Sequence, residues 1–424
     1  MAQGLTLHFG NLGPELLDKI FFKLDTIRDL ASFVLTARFV YHRFDVQQRT
    51  ILFRVLQNEL GPALADARFL FVFPYSNPED KVRYYDWIRI MAGVYREMLD
   101  GDTDPGLPPL KELTALCRTL RYINFITNIY ETVQLGWFDF CGGGSTPATA
   151  RLSHQERRRV IRAFYLRQIV SNAWASTRRL PLWSDRDSDA FGNPRREQDE
   201  TLGLYSAFKP WDLQYVDHAN IFIMRLCRAL VCRAPEVVGE GAREISPRQF
   251  GDLHAHLDHL VRYLQAYPGV ANAVVSDMQS GIVHPRDESL HKEFKRRYEL
   301  LPLTYLWQES RAESFLDPIV RKQEQEQQRD SLEMDCYVKA DPGQPPFGWS
   351  DALRGRYVAQ YGSGLCSIPW LPPWEAREKE WAHTSLVGRW RHCGFALWDQ
   401  ERVEALKRLK RFEALQTGFL LDRL

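Results

Sequence analysis

Apolar residues recur along this chain at steps of three and four, while strand-like alternation is rare and short. The pattern predicts helix almost throughout and a mainly α fold. The sharpest stretch comes first. Pro14 suits the first position of a helix, where its missing N–H costs nothing. Leu16, Leu17, Ile20, Phe21 and Leu24 then form one apolar stripe, with Leu12 placed to staple against Leu17 across the helix start. Thr26 and Asp29 have capping-box spacing for a second helix carrying Leu30, Phe33, Val34 and Ala37. A third helix is expected from about Val46 to Leu60, where Gly61 accepts a C-cap and Pro62 cannot continue the ladder. Three such helices cannot hide all these side chains alone, so further structure must pack on them.

The division expected is a three-helix unit over residues 9–60 and a larger, irregular all-helical body over 61–424. Within the body, Leu110–Val133 reads as helix, Ser153 and Glu156 form a capping box for the next one, and helices are expected at Trp211–Cys232, Pro247–Ala266 and Asp399–Leu415. On the helix after Ser153, Val160, Phe164 and Ile169 are expected inside, with Arg157, Arg158, Arg162 and Arg167 largely outside. Polar, Gly/Pro-rich or charged stretches near 100–110, 142–150, 182–200 and 321–330 read as loops. Residues 342–375 are rich in proline, glycine and tryptophan. Six of the twelve tryptophans fall between Trp349 and Trp398. The Pro369–Trp374 segment has polyproline-ligand character, although rings in such a stretch more often bury against their own fold. No repeat of 20–50 residues marks a solenoid or propeller.

Composition narrows the function classes. With 45% hydrophobic and 26% charged residues, and no apolar run near the ~20 needed for a membrane span, no membrane role is expected. The first residues have neither a basic n-region nor an apolar h-region, so a cytoplasmic or nuclear location is expected. A formal charge of +1 creates no global field toward nucleic acid or anionic lipid. The basic clusters at Arg157–Arg159, Lys295–Arg297 and Lys407–Arg411 sit beside acids on expected helices and read as solvated faces. Seven scattered cysteines, without a C-x-x-C pair, suit reduced thiols rather than a disulfide framework or zinc site.

One string has the spelling of chemistry. His254, His256, Asp258 and His259 read as H-x-H-x-D-H, similar to the metal-binding motif of metallo-β-lactamase-fold hydrolases. The surrounding Phe250, Leu253, Leu257, Leu260, Val261 and Leu264 predict instead a continuous helix through the motif. On it His254 and His256 point about 200° apart, too far to share an ion. Nucleophile elbow, phosphate loop, dinucleotide fingerprint and H-E-x-x-H are all missing from the sequence. No cofactor and no catalysis are expected.

The N-terminal unit resembles the F-box. Leu12, Glu15, Leu16, Ile20, Phe21, Leu24, Asp29-Leu30 and Thr36-Ala37-Arg38 fall at matching places. Gly13 stands where the family has proline, with Pro14 one step later, and Ala37 replaces the usual cysteine. The helix ERRRVIRAFYLRQIVSNAW, the phrase Ala207–Asp212 and GRWRHCGFALWD look like large F-box-like proteins of filamentous fungi. The resemblance implies docking on the Skp-type adaptor of a cullin–RING ubiquitin ligase, with the helical body presenting a protein substrate. It implies Leu12, Pro14, Leu16, Ile20, Leu24 and Leu30 as adaptor-facing or supporting positions. The alternative is a helical scaffold outside any ligase, with the leucine stripe covered by the chain's own body.

Overall fold

The computed structural model describes residues 13–73, 81–100, 106–142, 150–175, 203–238, 253–280, 346–347 and 394–408. The regular structure among them is helical, with no strand. Helix α1 (Pro14–Lys23) has Pro14 in its first turn after an extended Gly13, and Glu15 and Lys23 at the ends where each sign complements the helix dipole. Leu17 and Phe21, one turn apart, are its buried positions. Helix α2 (Ile27–Val34) is capped by Thr26, whose Oγ1 accepts from the Asp29 amide at 3.0 Å. The Asp29 carboxylate accepts from the Thr26 hydroxyl at 2.7 Å rather than from a backbone amide, so the box closes side chain to side chain.

Helix α3 (Arg38–Leu60) begins well before the expected Val46. It is two helical sections joined at Gln47 (φ −117°, ψ 22°), and the apolar spacing marked only the second. It ends where expected: Gly61 takes φ 53°, and Pro62 sits ahead of α4 (Ala63–Val72). Helices α1 and α2 pack principally on α3, with the Phe21 ring edge-on to Phe33 at 5.2 Å. The expected Leu12 staple lies outside the described residues.

Beyond this hairpin come α5 (Lys81–Asp100), α6 (Leu110–Gly142), α7 (His154–Ala175), α8 (Pro210–Val238), α9 (Leu257–Ala266), α10 (Pro268–Gln279) and α11 (Gln400–Lys407). Helix α6 runs past the expected end at Val133. Helix α7 is central, packing on α4, α6 and most extensively on α8, while α10 bridges α6 and α8. A continuous apolar core runs from Leu17 of α1 to Leu406 of α11. The expected loops at 182–200 and 321–330, and the Pro369–Trp374 segment, lie outside the described residues.

The capping box of α7 forms in both directions: the Glu156 amide donates to Ser153 Oγ at 3.1 Å, and the Ser153 amide donates to Glu156 Oε2 at 2.9 Å. The arginines of this helix correct the expected inside–outside division. Arg162 and Arg167 are turned inward, because α7 is covered on several sides and leaves no purely solvent-facing stripe. Arg162 lies between two buried carboxylates, with Nε 2.9 Å from Asp66 on α4 and Nη1 2.8 Å from Asp212 on α8. Tyr95 of α5 donates its hydroxyl to Asp66. Burial lifts the Asp212 carboxyl above its usual range, and the two acids hold Arg162 firmly protonated. Nor are Arg157, Arg158 and Arg159 a solvated face: they bond respectively to Glu131, to the Asn58 and Glu59 carbonyls, and to Asp399.

Candidate functional site

On α1 the stripe separates into two rows. Leu17 and Phe21 enter the core. Leu16, Ile20 and Leu24, at i, i+4 and i+8, form a neighbouring ridge that grades from bare to half-buried: Leu16 is 50% exposed, whereas Ile20 and Leu24 are half-buried. Pro14 is exposed at the ridge's N-terminal end. Leu30 is buried and belongs to the core of the hairpin, so of the expected docking residues it supports the surface without forming it. Leu12 lies outside the described residues.

Exposed apolar side chains occur elsewhere on the hairpin at positions the spacing did not single out. Leu35 is 83% exposed and Val46 is 77% exposed, and Tyr41 is also open to solvent. Spacing marks a stripe as apolar but does not say which part of it neighbours leave bare. The position of Leu35 directly after α2, beyond its buried Val34, was the available signal.

Four polar devices hold the ridge in place. Arg43 of α3 grips Asp18 of α1 with both Nε, at 2.8 Å, and Nη2, and Gln47 at the kink donates to the same carboxylate at 3.3 Å. The hydrogen bond from Arg43 holds the Asp18 carboxyl below its usual range. Asn58 Nδ2 donates to the Phe22 and Leu24 carbonyls, at 3.0 and 2.8 Å, satisfying acceptors at the C-terminus of α1. Glu59 accepts from the Ile27 amide at the start of α2 and from Asn124 of α6, each at 2.7 Å. Burial pushes the Glu59 carboxyl up against the opposing effect of these donors. Arg158 of α7 closes the far end by donating to the Asn58 and Glu59 carbonyls beside Gly61. The hairpin is thereby bolted to the body through α3 while the α1 ridge stays on the outside.

The histidine string is arranged differently from expectation. The continuous helix is broken: residues 253–255 form a helical turn, His256 is extended (φ −124°, ψ 108°), and α9 starts after it at Leu257. The break is stitched by buried groups of α7. Ala255 O accepts from Gln168 at 3.0 Å and from Ser171 at 2.7 Å, the Leu257 amide donates to Gln168 Oε1 at 3.0 Å, and Arg167 donates to His254 O. These bonds replace those a helix would have made there. His254 is buried against Arg167; burial and that guanidinium hold its imidazole well below its usual range. His256 lies beside His259, with ring centroids 5.0 Å apart, and Asp258 faces Arg262. Among the described residues no group of three or more His, Cys, Asp or Glu side chains is placed to hold a metal ion. Nor is any described helix long and apolar enough to cross a membrane.

Compared with protein-family models, with curated proteins and with solved structures, the chain finds no match in any of the three.

Proposed function

We propose that the chain is an F-box-like substrate receptor that docks through the α1 ridge onto a Skp-type adaptor, and through it joins a cullin–RING ubiquitin ligase. The carrying observation is the exposed Leu16 at the head of the Leu16–Ile20–Leu24 row, on a helix whose adjacent Leu17 and Phe21 are buried. An apolar ridge on a helix anchored from behind suits helix-in-groove docking. The match of Leu12–Arg38 to the F-box pattern supplies the partner's identity. Pro14, Leu16, Ile20 and Leu24 are the proposed contact residues, and Leu30 supports them. The all-helical body would present a protein substrate, and the chain itself would perform no catalysis. A cytoplasmic or nuclear setting goes with this role, and Cys117 and Cys227 are free thiols compatible with it.

The scaffold reading predicts a stripe covered within the monomer. Glu59–Asn124 and Arg158–Asn58 do fasten the hairpin to the body, but they engage α3 and leave Leu16 open. Co-purification of the full chain with a Skp-type adaptor is the deciding experiment. Wild-type protein is expected to retain the adaptor, and Leu16→Glu with Ile20→Glu to lose it while keeping its helical circular dichroism. Failure of the wild-type chain to bind any adaptor would remove the ligase assignment.

A further inference from the structure

Among the described residues Arg167 and Arg402 are buried and Arg162 is largely covered, and two of these three arginines meet acids. Arg162 sits between Asp66 and Asp212, and Arg402 lies 2.9 Å from Glu156. Arg167, five residues after Arg162 on the same helix, meets none among the described residues. Its side chain is 0% exposed. Its polar contacts come from Nη2, directed to the carbonyl and ring of His254, while Nε and Nη1 have no hydrogen-bond partner. The nearby Cys227 supplies no negative charge, because burial pushes its thiol up to about 12. Burial brings the guanidinium down to about 10, which still leaves it cationic at neutral pH.

Among the described residues no acid approaches Arg167. Arg167 and Arg228 both act on the neighbouring His254 and hold it neutral. A buried charge is ordinarily matched by an opposite charge, and a guanidinium with free edges binds planar or spherical anions well. We infer that Arg167 is the protein half of a buried anion site beside His254, between α7 and α8, and that it takes a small inorganic anion, a halide or orthophosphate. Full burial sets the size limit, since a peptide carboxylate would have to open the core to reach the guanidinium. The anion takes the Nε or the Nη1 donor, with Nη2 already held by the His254 carbonyl. The site is independent of the adaptor ridge and stands or falls separately from it.

Thermal unfolding of the full chain at constant ionic strength tests this, with sodium gluconate replaced stepwise by chloride in one series and by phosphate in another. Wild-type protein is expected to show a saturating rise in Tm, about 3–5 °C at an anion concentration roughly 100 times the dissociation constant. The responding series identifies halide or oxyanion, and Arg167→Met is expected to abolish saturation. A Tm that is flat or merely linear in both anions overturns the inference. Should Arg167→Met fail to fold, crystals of wild-type protein grown in bromide and in phosphate decide: an anomalous bromide peak or phosphate density within hydrogen-bond distance of Arg167 is expected in one of them, and neither there overturns it.

Discussion

Glu156 and Arg402 form a buried ion pair across 246 residues of sequence, with Arg402 Nε 2.9 Å from Glu156 Oε1. The same carboxylate closes the capping box of α7 with Ser153 and accepts from the Asp399 amide at 3.1 Å, where α11 begins. One side chain therefore starts two helices. Arg402→Met leaves Glu156 buried with its backbone donors but without its countercharge. The expected loss is about 3 kcal/mol, at the lower end for a broken buried pair, read as a lowered denaturant midpoint. A loss under about 0.5 kcal/mol would show that the pair contributes little to holding α11.

Neighbouring residues of α1 are expected to respond oppositely to truncation. Phe21 is fully buried against Phe33 and Phe44, so Phe21→Ala should cost about 3–5 kcal/mol. Leu16→Ala should change stability by no more than about 0.5 kcal/mol while weakening adaptor binding. Urea titrations of the two variants check the first contrast, and a pull-down the second. A large stability loss at Leu16 would mean that the ridge is core.

The pH dependence carries two opposite signs. The folded Glu59 carboxyl is raised from 4.5, so the folded state binds its proton more tightly. Its contribution is fully present below the unfolded value and is lost as pH rises through the folded one. His254 is lowered well below 6.5, so its contribution is present above 6.5 and lost as pH falls toward the folded value. Stability of His254→Gln should consequently fall less than wild type on acidification below 6.5. An imidazole NMR signal of His254 titrating at 6.5 would contradict this burial.

Gly394 is required by both backbone and space. It takes φ 70°, and a Cβ there would lie 2.8 Å from His218 Nε2 and 3.1 Å from Tyr130 Oη. Those two side chains bond each other at 2.6 Å, and Trp398 stacks on Tyr130 with centroids 6.2 Å apart. Gly394→Ala should therefore cost about 2–3 kcal/mol, from left-handed strain plus crowding. Limited proteolysis is expected to cut the chain near residue 394 faster than in wild type, and equal rates would argue against the crowding.

What could be read beforehand was local. Pro14, the Thr26 cap, the Gly61 stop and the Ser153–Glu156 box are decided within one helical turn, and each appears where its spacing placed it. The inward arginines were not legible, because the acids that receive Arg162 lie on α4 and α8, far away in sequence. The break at His256 was hidden for the same reason: helical spacing was intact, but Gln168 and Ser171 offered its backbone other bonds. The candidate ridge was half legible. Apolar spacing found Leu16 and Leu17 together, and only the packing of α3 against α1 separated the bare one from the buried one.

The Arg158 bond to the Asn58 carbonyl spans 100 residues, which has a consequence during synthesis. At roughly 5–20 residues per second, the end of α3 is synthesised about 5–20 s before the residue that caps it. Throughout that interval the last carbonyls of α3 are served by water, and the apolar face destined for α6 and α7 waits uncovered. The newborn hairpin thus lacks its covering from α7 until translation has passed that helix.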